Sequence, residues 1–351
     1  VSAVYPLFAA HPALAVLPRA GLLRAPTRID ALAGQDGVWV KRDDLSSDGF
    51  GGNKIRKLDL LLADARARDK RTLLAFGYSG SNFVAATAWH GRQLGFDTIG
   101  LLLPQAPAPY VGDNLAMALQ AGASLHLGDT TAALVRRAVT QSLARLAREH
   151  RWPYWLPPGG STPLGALGFV NAAFELREQI ERGELPKPAR LYVAFSSMGT
   201  VAGLAIGLAM AGIDCRIQAV QVVDDRFASR RALDTLIART QRLLRRYIPG
   251  VATAAGLVDI RTEHFGPGYA QASADTHAAM QRFTQDGGAR SDSAYTGKAL
   301  TALYADRDRG LREPVLYWHS FNAHPLPAGV TPLAGDALKA YLLDSDNRLT
   351  S

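Results

Sequence analysis

The chain has one cysteine, Cys215, among its 351 residues, so no disulfide can form within it. It has no uncharged apolar run of about 18 residues, the length that a membrane span needs. Residues 1–26 are apolar but are broken by Pro6, Pro12 and Pro18 and by several charges. They lack the basic start and unbroken apolar stretch of a signal peptide. These absences predict a reducing, cytoplasmic setting and no membrane partner. Internal repeats and low-complexity tracts are also missing, and no metal site is expected.

What is present is ordinary for a globular protein: 48% apolar and 20% charged residues. The length suggests roughly two domains, or one with an insertion. Lys plus Arg number 39 against 31 Asp plus Glu, a net charge of +8. Part of that excess lies in residues 226–246, where apolar residues recur at helical spacing and arginines fill the other face. No nucleic-acid motif accompanies them, so a solvated helix face is expected and a nucleic-acid partner is not. A basic surface would help to draw in anionic substrates. Cys215 sits at a strand entry and reads as a small core residue.

Strand-like and helical runs alternate. Strands are predicted at 38–41, 72–76, 98–103, 124–127, 190–195, 217–223 and 315–319. Helices are predicted at 58–67, 82–94, 114–120, 131–149 and 200–210. This pattern predicts an α/β fold with mostly parallel sheets and helices on both faces. Ligands of such sheets sit beyond the carboxyl ends of the strands. A small α/β lobe is drawn at 57–164 and a large lobe at 1–56 plus 165–351, with a cleft between them.

The loops after these strands carry the chemistry. In Gly51-Gly52-Asn53-Lys54-Ile55-Arg56-Lys57, a lysine stands at the mouth of a helix, where the dipole disfavours a cation. A desolvated lysine repelled by Arg56 and Lys57 would have a depressed pKa and could form a Schiff base; a solvated surface lysine is the alternative reading. Gly77 to Asn82 runs straight into a helix whose free amides could hold a carboxylate, although Asn82 could equally be its cap. Ser196-Ser197-Met198-Gly199-Thr200 opens a small-residue helix after a strand, the pattern of a phosphate cradle. It is neither a Walker loop nor a dinucleotide fingerprint, so a single phosphate fits it best. Residues 292–300 add Tyr295 and Thr296, and Trp318-His319-Ser320 follows the last strand. His319 reads as a core histidine.

Taken in order, these pieces resemble the fold type II, tryptophan synthase β-like enzymes that use pyridoxal 5'-phosphate. More closely, they resemble the family of D-cysteine desulfhydrase and 1-aminocyclopropane-1-carboxylate (ACC) deaminase. The resemblance rests on KRDDL…GGNKIRKL at 41–58, GSN at 80–82 and PPGGSTPLGALGFVNAAFEL at 157–176. It continues through MGTVAGL at 198–204, FGPGY at 265–269, YTGKAL at 295–300 and WHS at 318–320. It implies a two-lobed fold and a homodimer. It implies that Lys54 carries the cofactor as a Schiff base and later moves the α-proton. Asn82 would bond the cofactor's phenolic oxygen, with Asn53 beside it. Lys57 and the segment Ser197, Met198, Gly199, Thr200 would form the phosphate site. Ser320 takes the place of a threonine that faces the pyridine nitrogen. Ser81, Asn82, Phe83, Gly160 and Tyr295 would line the substrate site, with Ser81, Tyr295 and Tyr269 acting beside the reacting carbon.

A hydroxyl facing the ring nitrogen, from Ser320 or Thr296, makes a weaker electron sink than a carboxylate and favours prompt loss of a β leaving group. The expected activity is therefore that of a lyase or deaminase, α,β-elimination on a small amino acid to give a keto acid and ammonia. β-Replacement and cyclopropane ring opening are the variants, and a binding protein without turnover is the non-enzyme alternative. The chain departs from its relatives at Gly80, Phe83, Met198, Ser293-Ala294 and Ser320-Phe321-Asn322. Scaffold motifs are kept while substrate-side residues differ, which predicts a changed substrate preference. Met198 would be strained if the loop needs a positive φ there.

Overall fold

The computed structural model describes residues 5–254, 256–322, 324–327 and 329–332. Residues 1–4 and 333–351 of the expected large lobe lie outside these. In chain order the elements are α1 (Pro6–Ala10), β1 (Ile29–Ala31), β2 (Val38–Arg42), α2 (Ile55–Ala67), β3 (Thr72–Tyr78), α3 (Asn82–Gln93), β4 (Asp97–Leu103), α4 (Pro109–Gln120), β5 (Ser124–Leu127) and α5 (Thr131–Glu149). They continue with β6 (Tyr154–Leu156), α6 (Pro163–Glu181), β7 (Arg190–Phe195), α7 (Gly199–Ala211), β8 (Arg216–Gln221), α8 (Arg230–Leu244), β9 (Val258–Arg261), α9 (Ala274–Gln285), α10 (Thr296–Asp308) and β10 (Val315–His319).

Two sheets result. One has the order β1-β2-β10-β7-β8-β9 and the other β5-β4-β3-β6. Every pairing in both is parallel except β1 with β2. The Lys54 segment follows β2, and residues 292–295 follow α9. The other three loops expected to carry chemistry leave the carboxyl ends of β3, β7 and β10, strands with a neighbour on both sides. Parallel register aligns those ends. Tyr317 of β10 faces Tyr192 of β7, and His319 faces Arg42 of β2. The loops after β7 and β10 therefore open beside the segment that leads from β2 to Lys54. No helix among the described residues is long and apolar enough to cross a membrane.

The glycines of α7 have a structural cause. A Cβ on Gly203 would lie 2.3 Å from the Ala166 carbonyl, and one on Gly207 would lie 2.6 Å from the Ala173 Cβ. The small residues expected to serve an anion thus let α6 press against α7. Cys215 is fully buried just before β8, and burial pushes its thiol up to about 12. His319 is buried, with Nε2 3.0 Å from the Arg290 carbonyl and Nδ1 3.3 Å from the Tyr317 hydroxyl. The basic segment after β8 forms α8, whose buried residues include Leu233, Leu236 and Leu244 and whose arginines leave the apolar face free.

Beneath the end of β2 lies a buried charge cluster. Arg56 donates to Asp43 at 2.7 Å and to Glu175 at 2.9 Å, and Lys41 donates to Glu175 and to Gln179. The Trp318 indole donates to Asp43 at 2.7 Å, and the Thr27 amide donates to Glu175 at 2.8 Å. Two cations face two carboxylates, so no net charge is buried. Burial alone would raise the Glu175 carboxyl, but Arg56 and Lys41 hold it well below its ordinary 4.5. A depressed carboxyl contributes stability that is present above about pH 4.5 and is lost as the pH falls below it. Glu175→Gln is therefore expected to cost about 3–5 kcal/mol at neutral pH, because a cation loses its partner in the interior. It should also flatten the acid limb of a stability–pH curve measured by urea unfolding. An unchanged midpoint at pH 7 would contradict the role given to this cluster.

Candidate active site

Two close approaches bring Lys54 into place. A Cβ on Gly51 would lie 2.0 Å from the Asp44 carbonyl, and one on Gly52 would lie 3.0 Å from the Ser320 carbonyl. Gly52 also has φ +94, a region that side chains disfavour. The Gly51 amide donates to the Asn322 side chain at 2.8 Å and the Asn53 amide donates to the Ser320 carbonyl at 3.0 Å. The loop after β10 is thereby stitched to the segment that caps α2. Lys54 is the N-cap residue of α2, and its ammonium has no hydrogen bond or ion pair among the described residues. Burial lowers its pKa from 10.5 to about 8, with Asp292 pulling weakly the other way. Of the two expected causes, desolvation acts and repulsion by Arg56 and Lys57 does not. Arg56 is neutralised by Asp43 and Glu175, and Lys57 is itself driven well below its ordinary range by burial, so desolvation, not neighbouring cations, sets the shift.

A cleft of about 390 Å³ opens around this lysine. Asn53, Lys54, Ser81, Asn82, Phe83, Ser197, Met198, Thr200, Tyr295 and Ser320 all line it. At one end, Met198 holds φ +68 as the N-cap of α7, the left-handed conformation foreseen as strained. The Thr200 and Val201 amides have no protein acceptor among the described residues. Such amides at the start of an apolar helix suit an anion. Gly199 is required there, since a Cβ would lie 2.7 Å from the Ser161 hydroxyl and 3.0 Å from the Lys57 ammonium.

The opposite wall comes from β3 and α3. Ser81 caps α3, its hydroxyl oxygen accepting from the Val84 amide at 3.3 Å, so Asn82 is not the cap. Asn82 opens the helix, and its side-chain oxygen accepts from Asn114 at 2.9 Å. Asn114 also donates to the Gly80 carbonyl at 2.9 Å. Gly80 has no room for a side chain: Gln105, Tyr110 and Val111 occupy the space, each within 2.9 Å of where a Cβ would stand.

Four expected residues lie behind the wall instead of on it. Gly160 is covered by the Phe83 ring, which would meet its Cβ at 2.9 Å, so it cannot contact a substrate directly. Lys57 donates to the Gly159 carbonyl at 3.1 Å from beneath the loop before α7. Gly199 lies between Ser161 and that lysine. Tyr269 touches the Tyr295 hydroxyl with its own and stacks on Tyr78 at 4.2 Å, so it reaches the cleft through Tyr295. Thr296 cannot serve a ring nitrogen, because its buried hydroxyl donates to the Asp292 carboxylate at 2.7 Å. The Ser320 hydroxyl has no partner among the described residues and remains free.

Sequence reasoning passed over Tyr78, Ser161 and Asp292, all of which line the cleft. Asp292 is saturated: the amides of Ala294, Tyr295 and Thr296 and the Thr296 hydroxyl all donate to it. All three lie inside segments already singled out, at 77–82, 157–176 and 292–300, but without an assigned role.

Comparison with known proteins agrees with this geometry. The family described as pyridoxal-phosphate dependent enzyme matches residues 21–320. The chain belongs to that family. Its cofactor is accordingly pyridoxal 5'-phosphate. D-cysteine desulfhydrase from Serratia proteamaculans is 31% identical over 335 residues, which cover 89% of this chain and 96% of that protein. Nocardicin C-9' epimerase from Nocardia uniformis is 41% identical over 219 residues, 60% of this chain and 65% of that protein. The crystal structure of an ACC deaminase homologue superposes with a TM-score of 0.77 at 29% identity, covering 97% of this chain and all of that one.

The residues present suit this cofactor. An unpaired, partly neutral lysine shares one cleft with an open helix start and a free hydroxyl. Lys54 would hold the cofactor's aldehyde carbon, the start of α7 with Asn53 and Ser197 its phosphate, Asn82 its phenolic oxygen and Ser320 its ring nitrogen. A lysine whose pKa is lowered on folding binds fewer protons than in the unfolded chain. The unloaded wild-type protein therefore gains stability as pH rises from about 8 to 10.5. Lys54→Met removes that penalty. Its unloaded form is expected to melt above the wild type at pH 7, with the gap narrowing across that interval. A gap that stays constant with pH would show that Lys54 is not a buried, titrating amine.

Proposed function

We propose that this enzyme catalyses α,β-elimination on a small amino acid carrying a β leaving group, releasing a keto acid and ammonia. The observation that carries this reading is the unpaired Lys54 amine sharing one cleft with the Tyr295 phenol and the free Ser320 hydroxyl. The bound cofactor supplies the electron sink for a carbanion at the substrate's α-carbon. Everything else falls to the chain. Lys54, with a pKa near 8, is well suited to take a proton from the α-carbon near neutral pH. Ser81 has a hydroxyl proton to give to a substrate carboxylate while its oxygen caps α3. Tyr295 is raised above its ordinary 10 chiefly by burial, so it stays protonated and can donate to a departing group. Ser320 offers a neutral hydroxyl at the far end, which moderates the sink and favours early departure of the β group.

A second reading is Cα epimerisation, in which the same proton is removed and a proton returns to the other face. Two features support it. One relative with that activity in its name is 41% identical to this chain. The Tyr269–Tyr295 phenol pair offers a second acid in addition to Lys54. D- and L-amino acids with and without β leaving groups, assayed for keto acid, ammonia and solvent deuterium at Cα, separate the two. Ammonia with keto acid is the expected result. Inversion with deuterium uptake and no ammonia would replace elimination by epimerisation. Tyr295→Phe is expected to lose about a hundredfold or more in turnover while keeping the visible absorbance of bound cofactor, and Lys54→Ala to lose that absorbance. Full activity in Tyr295→Phe would remove Tyr295 from proton transfer.

A further inference from the structure

Lys298 is fully buried on the first turn of α10, three residues beyond Tyr295. Its ammonium donates to the Phe265 carbonyl and, at 2.8 Å, to the Gly268 carbonyl, and it lies 4.9 Å from the centre of the Phe265 ring. No carboxylate pairs with it among the described residues. A buried cation held only by neutral acceptors is costly to keep, and such groups concentrate at functional sites. Burial lowers its pKa to about 8, in keeping with that cost, against the opposing pull of the more distant Asp292 carboxylate. The two carbonyls belong to the loop that delivers Tyr269. That loop is unusual on both sides of the tyrosine, with Gly266 at φ +73 and Ala270 at φ +59. A left-handed alanine persists only where its surroundings over-determine it.

We infer that Lys298 is a positioning residue: by gathering the carbonyls of Phe265 and Gly268 it holds the Tyr269 hydroxyl against the Tyr295 hydroxyl. The helix that Tyr295 leads into thereby fixes that residue's phenol partner, 26 positions earlier in the chain. Tyr269 in turn orients the Tyr295 phenol. The catalytic consequence rests on the proton-transfer role proposed for Tyr295, whereas the ordering of the loop does not.

The test has two arms. In the unloaded protein, amide hydrogen exchange across 265–270 is expected to speed up about tenfold or more in Lys298→Met, with the rest of α10 unchanged. In the loaded enzyme, Lys298→Met is expected to lower turnover about tenfold in the wild-type background and less than about twofold in Tyr269→Phe, with absorbance of the bound cofactor retained. Lys298→Arg should recover part of the loss, because its guanidinium can reach both carbonyls. Should Lys298→Met fail to accumulate as folded protein, Lys298→Gln serves in its place. Unchanged exchange at 265–270, or equal losses in the two backgrounds, would overturn the inference. A wild type that turns over none of the amino acids would sink the reaction assigned to Tyr295, while the exchange arm would still decide the role of Lys298.

Discussion

The buried cluster of Lys41, Asp43, Arg56 and Glu175 is the constraint on which the site depends. It joins the end of β2, the first turn of α2 and the middle of α6, and through Asp43 it reaches Trp318 on β10. Arg56 stands two residues after Lys54, so whatever fixes its guanidinium also fixes where α2 begins. A buried ion pair is rarely the most stable way to fill a core, since desolvation offsets most of the attraction. What it supplies is direction. Arg56 has five N–H groups in a rigid plane, and here they face Asp43, Glu175 and Thr27. An apolar core could have held α2 at the same distance from α6 but would have tolerated rotation of the helix about its axis. Rotation would carry Lys54 out of the cleft.

The same cluster explains why Lys54 is an isolated amine. In sequence it stands beside two cations. In the fold one cation is consumed by carboxylates and the other is desolvated beneath the loop before α7. Burial is then the main influence left on Lys54. A salt bridge would have held its ammonium charged and blocked a nucleophilic role. The nearest carboxylate in the cleft, Asp292, instead spends its oxygens on the turn into α10. The fold leaves the reactive amine without a partner by engaging the carboxylates elsewhere.

Much of this was legible in the chain. Short apolar runs ending in glycine, serine and asparagine marked β3, β7 and β10, and with them the three loops that line the cleft. The strain at Met198 was foreseen only on the condition, suggested by the resemblance, that the loop takes a positive φ there, and it does. What could not be read depends on partners far away in sequence. Arg56 looked like a charge acting on Lys54 because Glu175, 119 residues later, was not in view. Gly160 looked like a substrate contact, but its place behind the Phe83 ring is visible only once α3 packs there. The short strands β1, β6 and β9 carry too few residues for a periodic signal, and α10 has no capping side chain at its start.

Sorting the cleft into spent and unspent groups clarifies the departures from the family pattern. Asn322 departs from the family pattern, yet its side chain accepts the Gly51 amide and helps to place Lys54. Gly80 is a departure too, and there the Gln105 side chain fills the space beside the loop and accepts the Gly80 amide at 2.8 Å. Phe83, by contrast, presents an apolar ring to the cleft. Of the departures, Phe83, Met198, Ser320 and Phe321 line the cleft, whereas Gly80 and Asn322 do not. The Tyr78 and Tyr295 rings line the same cleft as Phe83, with Tyr269 packed behind them. The cofactor end, with its open amides and free hydroxyl, is left as the fold requires it.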